Sequence, residues 1–212
     1  MPGKMDTIGI KHGTDKSSNG HGYLDIYERY FASRSGECIT FMEIGVFKGS
    51  SLKTWEECFP KAKILAIDIK DMTRFDTARS KTFIVDQSDR NQLEDFASKN
   101  GPFDIVIDDG SHIVEHQQVS LGCLFPFVRT GGIYVVEDLH TSRERKQRFR
   151  EKYNPTGTAN TTLAICHQMA KGERVVSDFM VQSEIEYLHD NVEFCVVEMA
   201  RKSEICFIFK KQ

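Results

Sequence analysis

Asp104-Ile105-Val106-Ile107-Asp108-Asp109-Gly110-Ser111-His112 is the stretch on which the reading of the fold turns. Ile105, Val106 and Ile107 follow one another without the polar alternation of a half-solvated strand, which predicts a central strand buried on both faces. The run stops at two acids, a glycine, a serine and a histidine. A buried strand that gives way at once to such residues predicts an open α/β sheet, in which ligands bind beyond the carboxyl ends of the strands where the strand order reverses.

The same pattern extends outward in both directions. Residues 39–44, 64–67 and 82–85 predict strands one to three, with a helix over 50–58 and Asp68 closing the second strand. Downstream, Gly131-Gly132 is expected to turn the chain into a fifth strand over 133–136, which ends in Glu137-Asp138. Strands alternating with helix-like stretches are the mark of βαβ units and a parallel sheet. Residues 192–199 and 205–209 are β-rich runs joined by five polar or small residues, which predicts a closing antiparallel hairpin. The expected fold is therefore a doubly wound α/β sheet of seven mostly parallel strands. Residues 13–22, polar and glycine-rich, predict a mobile loop.

A chain of 212 residues suits one domain with a sizeable core. With 40% hydrophobic and 28% charged residues it has the balance of a globular protein. A net charge of −3 and a pI near 6.2 give no general reason to bind nucleic acid or an anionic membrane, leaving small molecules as the expected partners. The basic stretch over 143–152 includes Glu144 and Glu151, reads as a solvated helix face and is assigned no ligand. No apolar run approaches the roughly 18 residues that span a bilayer, and residues 1–10 lack the apolar core of a signal peptide. A cytoplasmic location is expected. The six cysteines contain no CxxC pair and read as reduced core residues.

The first strand-to-helix turn reads Glu43-Ile44-Gly45-Val46-Phe47-Lys48-Gly49-Ser50-Ser51. Its glycines allow close backbone approach, and Ser50 and Ser51 can cap the helix that follows. The GxGxxG that seats a dinucleotide pyrophosphate is replaced by GxxxG. Glu43 beside the turn suits a ligand bearing an ammonium or sulfonium group better than a pyrophosphate; a plain structural turn remains the alternative. Asp68 stands where a carboxylate accepts hydrogen bonds from both ribose hydroxyls, a role shared by NAD and S-adenosylmethionine sites. Asp86 and Gln87 are candidates for an adenine edge, or equally for a turn. Asp108 joins the cofactor-binding candidates at the end of the central strand.

Asp109, Glu137 and Asp138 are expected at the ends of two adjacent strands, where unpaired carboxylates would repel. A hard divalent cation such as Mg²⁺ resolves this, since it takes oxygen ligands and keeps positions open for a substrate hydroxyl; the alternative is acids that cap helices and face water. His112, three residues past Asp109, is placed to act as a base near pH 7. His116 would share a helix face with it if the segment is helical, most simply as a supporting residue.

Asp15-Lys16, His21-Gly22-Tyr23, Glu43-Ile44-Gly45-Val46, Ile107-Asp108-Asp109-Gly110-Ser111-His112 and Val136-Glu137-Asp138 together resemble the metal-dependent sugar O-methyltransferases of macrolide antibiotic biosynthesis, of the mycinamicin and tylosin type. The resemblance runs from about residue 13 to 139 and extends to the cephalosporin hydroxylase group. It implies a Rossmann-like class I fold, S-adenosylmethionine as methyl donor, Mg²⁺ on Asp109, Glu137 and Asp138, and His112 as catalytic base. The acceptor it implies is a small-molecule hydroxyl, that of a sugar on a glycosylated natural product. Those enzymes carry a large further N-terminal region that helps assemble the oligomer, so a homo-oligomer is one expectation. Residues 1–35 are expected as a helical or lid segment, with Tyr23 touching the cofactor, and 36–212 as the methyltransferase domain. Two rivals remain. One is a cephalosporin-hydroxylase-like protein with another acceptor. The other is an NAD-dependent oxidoreductase, which would want the missing GxGxxG.

Overall fold

The computed structural model describes residues 2–143 and 147–212. Its strands are β1 (Thr40–Ile44), β2 (Lys63–Asp68), β3 (Ser80–Ile84), β4 (Phe103–Asp108), β5 (Val128–Val136), β6 (Val192–Met199) and β7 (Glu204–Lys210). They form one sheet in the order β3-β2-β1-β4-β5-β7-β6. The pairs β1–β2, β1–β4, β2–β3 and β4–β5 are parallel, and β7 lies antiparallel between β5 and β6. Six strands thus point one way and β7 points against them, and the order reverses between β1 and β4.

Alternate side chains of β1, β2, β4, β5 and β7 feed two cores. Met42, Ile44, Leu65, Ile67, Val106 and Val136 meet helices α4 (Arg90–Asn100), α5 (Val114–Leu124), α7 (Thr162–Ala170) and α8 (Gln182–Asn191) on one face. Phe41, Ile64, Ala66, Ile105, Val135 and Phe207 meet α1 (Lys4–His12), α2 (Leu24–Phe31) and α3 (Ser50–Cys58) on the other. A strand buried on both sides needs apolar residues at every position, which is why the central strands read as unbroken apolar runs. The remaining one of the eight described α-helices, α6 (Gln147–Tyr153), has no buried residue. It covers part of the basic stretch; residues 144–146 of that stretch lie outside the described residues.

The second core joins distant parts of the chain. Tyr27 and Tyr30 of α2 lie 5.5 and 4.3 Å from the Phe207 ring of β7, and Tyr30 Oη donates to Glu198 Oε1 of β6 at 2.7 Å. Among the described residues, no helix is long and apolar enough to cross a membrane.

Three local expectations are corrected. Residues 13–22 are packed, not free: Thr14, Lys16 and Ser17 are buried, and Asp6 accepts from the Ser18 backbone and hydroxyl. Gly131-Gly132 lies inside β5 rather than before it. The ladder with β4 shifts register between Phe103 and Ile105, and a Cβ on Gly132 would fall 2.9 Å from the Asp104 carbonyl. His112 and His116 do not share a helix face, because α5 starts only at Val114 and His112 precedes it with φ 60°.

All six cysteines are free thiols; five are buried and Cys38 is exposed, so the expectation of six core residues fails at Cys38. Burial pushes the Cys58 and Cys123 thiols up to about 12. A thiolate is the reacting form, so titration of the native chain with a maleimide is expected to modify one cysteine rapidly, and all six after denaturation.

Candidate cofactor and metal site

The carboxyl ends of β1, β2, β4 and β5 converge where the strand order reverses. A cavity of about 370 Å³ there is lined by Gly45, Phe47, Asp68, Asp86, Gln87 and Asp109 among others. A second, of about 220 Å³, continues past Gly45 and Phe47 to Asp15, Ser50 and Ser51. Gly45 is required at the junction: its φ is 92° and a Cβ would fall 2.2 Å from the Asp109 carbonyl, so the β1 and β4 turns approach more closely than any side chain allows.

Three residues beyond the glycines share this strained geometry. Phe47, His112 and Asp138 are the non-glycine residues of the described chain with positive φ, at 47°, 60° and 56°. They follow β1, β4 and β5 respectively, so three of the four sheet-to-loop transitions at the cleft hold one residue in a sparsely populated conformation, as functional sites often do.

In the larger cavity Asp68 accepts from the Val46 backbone at 3.0 Å and the Lys70 backbone at 3.0 Å. Asp86 accepts from the backbone and hydroxyl of Ser88, and these bonds hold its carboxyl below the usual range. Gln87 sits partly behind the wall: its Nε2 donates to both Asp108 oxygens at 2.7 and 2.8 Å, and its Oε1 accepts from the Ser111 backbone. Asp108 is fully buried and also accepts from Ser120 Oγ. Burial pushes its carboxyl up to about 6 against the pull of those hydrogen bonds. The structure therefore places Asp108 as an internal brace for the β4 turn, away from the cavity that Asp68 and Asp86 line.

Beyond the second cavity lies a group that sequence reasoning passed over. The ammonium of Lys16, a residue 1% exposed, donates to Asp109 Oδ2 and, at 2.8 Å, to Glu137 Oε2, and lies 3.7 Å from Glu43 Oε1. Burial alone would lower its pKa, but the three carboxylates outweigh this and raise it. Glu137 also accepts from Tyr27 Oη at 2.6 Å; burial and Asp109 push its carboxyl upward. Glu43 is fully buried, accepting from Ser51 Oγ at 2.7 Å and Trp55 Nε1 at 3.1 Å. Burial drives its carboxyl up to about 7.

Asp138 forms a second focus. Its Oδ1 accepts from Tyr23 Oη at 2.7 Å and lies 3.1 Å from His21 Nδ1, while Oδ2 lies 3.5 Å from His112 Nε2. Burial works against its ionisation, yet His21, His112 and Tyr23 hold its carboxyl well below the usual range. Tyr23 is thus placed on Asp138, not on the wall of either cavity. His112 Nδ1 is buried without a hydrogen-bond partner, and its backbone carbonyl accepts from Thr141 Oγ1 at 3.0 Å.

These residues suit a hard divalent cation. Asp109, His112 and Asp138 each offer a donor atom within 4.8 Å of the others, and oxygen-rich sets of this kind take Mg²⁺. Glu137, expected beside them, faces Lys16 and Tyr27. Glu43, Asp109 and Glu137 crowd three carboxyl groups around the one Lys16 ammonium, and a dication would favour their ionised forms. Lys16, Tyr27, Ser51 and Trp55 carried no strand-end signal. Their roles come from long-range packing, although Lys16 stood within the Asp15-Lys16 pair.

No protein-family model matches the chain. Among curated proteins it is 34% identical, over 94% of its length and 53% of the relative's, to the mycinamicin VI 2''-O-methyltransferase of Micromonospora griseorubida. It is 42% identical, over 67% of its length and 39% of the relative's, to the 8-demethyl-8-alpha-L-rhamnosyl tetracenomycin-C 2'-O-methyltransferase of Streptomyces olivaceus. The chain thus spans about half the length or less of these relatives. Its structure superimposes with a TM-score of 0.82 and 29% identity on the MycE methyltransferase of the mycinamycin pathway, solved with Mg, SAH and mycinamycin VI, covering all of this chain and 55% of that one. In sequence and fold the chain is a relative of the macrolide and tetracenomycin sugar O-methyltransferases, within the class I S-adenosylmethionine-dependent methyltransferases.

Proposed function

We propose that the chain is an O-methyltransferase that moves a methyl group from S-adenosylmethionine to a hydroxyl of a small molecule, a sugar of a glycosylated natural product, in the cytoplasm. The observation that carries this reading is the convergence of Asp109, His112 and Asp138 within 4.8 Å beside the two cavities at the reversal of strand order. The names of the relatives support the sugar hydroxyl. Asp109, Asp138 and, once a dication displaces Lys16 from it, Glu137 would hold the ion, which when bound makes a substrate hydroxyl easier to deprotonate and fixes its direction.

The chain's own groups do the rest. Asp68 at the β2 end accepts from the ribose hydroxyls, and Asp86 and Gln87 border the adenine end. Ser50 begins the helix whose N-terminus faces the ligand's carboxylate. His112 Nε2 takes the acceptor's proton as its oxygen attacks the methyl carbon in line, the methyl–sulfur bond breaks and S-adenosylhomocysteine leaves with the sulfur's electron pair. Asp138, 3.5 Å away, stabilises the imidazolium so formed. Tyr23 orients Asp138 through its hydroxyl.

Calorimetric titration with S-adenosylmethionine and with NAD, each with and without Mg²⁺, separates this reading from the oxidoreductase. S-adenosylmethionine is expected to bind and NAD not to. A chain that takes NAD and ignores S-adenosylmethionine would sink the proposal.

A further inference from the structure

The acid of the β1 turn is the natural candidate for the ammonium of S-adenosylmethionine, yet the structure has closed it off. Glu43 lines neither cavity. Both of its oxygens face protein donors: Ser51 Oγ on one, Trp55 Nε1 on the other, with the Lys16 ammonium 3.7 Å away. A ligand ammonium brought to Glu43 would have to sit beside a buried cation of its own sign and displace hydrogen bonds already made.

The preceding residue on the same segment is differently placed. Asp15 is exposed and lines the smaller cavity with Gly45, Ser50 and Ser51. Among the described residues, no hydrogen bond or ion pair holds its carboxylate. Its backbone is fixed on both sides. Lys16 is pinned by its carboxylates, the Thr14 backbone donates to the Gly9 carbonyl at 3.1 Å, and the Asp15 carbonyl accepts from the His21 backbone. Gly20 packs so closely that a Cβ there would fall 2.0 Å from the Asp15 carbonyl.

Resting on the methyltransferase reading above, we propose that Asp15 recognises the ammonium of S-adenosylmethionine, a role that Lys16 denies to Glu43 by occupying it. The smaller cavity then suits both ends of an amino acid. Asp15 takes the cation, while the first turn of α3 and Lys48, which also lines the cavity, take the carboxylate. The N-terminal segment becomes part of the donor site, and the β1 acid becomes part of the core.

The test uses three ligands on the full chain: S-adenosylmethionine, S-adenosylhomocysteine and 5′-methylthioadenosine, which keeps the nucleoside and the sulfur but lacks the ammonium and carboxylate. Calorimetry of Asp15→Asn is expected to show the first two weakened by about tenfold or more, the scale of a lost charge-assisted hydrogen bond, with 5′-methylthioadenosine unchanged. Equal weakening of all three would assign Asp15 a structural role and overturn the proposal. So would an unchanged Asp15→Asn beside a Glu43→Gln variant that discriminates the ligands in the same way. If the wild-type chain bound none of the three, the methyltransferase reading itself would fall. Wild-type binding with a silent Asp15→Asn removes only this inference.

Discussion

Replacement of His112 by alanine is expected to lower methyl transfer by roughly 10²–10⁴-fold, the usual loss when a positioned base is removed. S-adenosylmethionine affinity should stay within about twofold, since an interaction made only in the transition state leaves ground-state binding intact. His112 lines neither cavity, and its Nε2 faces Asp138 at 3.5 Å. The backbone complicates a bare alanine substitution, because His112 sits at φ 60° and alanine tolerates that region at a cost of about 1–2 kcal/mol. His112→Asn provides the control, since asparagine enters left-handed backbone readily. Single-turnover rates and calorimetric affinities of both variants decide the matter. If both lose cofactor affinity together with turnover, His112 supports the structure rather than the proton transfer.

Lys16→Met is expected to cost about 3–5 kcal/mol of folding stability, the scale seen when one partner of a buried ionic cluster is removed. The methionine fills much of the same space but leaves Glu43, Asp109 and Glu137 facing one another without a cation. Mg²⁺ should then raise the melting temperature of the variant by more than it raises that of the wild type, because a ligand that binds only the folded state stabilises it by mass action. Chemical unfolding in chelator and in excess Mg²⁺ measures both effects. A loss below about 1 kcal/mol would mean that the carboxylates are not held by Lys16 in the way the geometry indicates.

What could be read from the sequence was whatever depends on short-range pattern. The unbroken apolar run at Ile105-Val106-Ile107 located β4, and the acids after it stand at the cleft because a parallel sheet presents all its carboxyl ends on one side. The hairpin at β6 and β7 was legible for the same reason: two β-rich runs with a short polar link. Lys16 was not legible. A lone lysine in a polar, glycine-rich segment looks solvated, and only the arrival of β1, β4 and β5 around it turns it into a buried charge. Glu43 was legible only in part. Its position in the turn was right for a ligand, but Trp55 one helix later closes over it. Gly131-Gly132 misled because paired glycines mark turns far more often than a register shift within a strand.

The packing of Tyr27, Tyr30 and Phe31 against Phe207 has a consequence for the timing of synthesis. Helix α2 leaves the ribosome long before β7, whose ring it packs against, and Tyr27 is also the residue that donates to Glu137. Until β7 has emerged and inserted between β5 and β6, α2 has only part of its apolar partner. The nascent chain can build the parallel strands in order as they appear, but the packing of Tyr27, the donor to Glu137, is completed only by the last strand. Assembly of the chemistry is thereby tied to completion of the sheet, and a chain that stops short of Phe207 carries its acids without the frame that holds them.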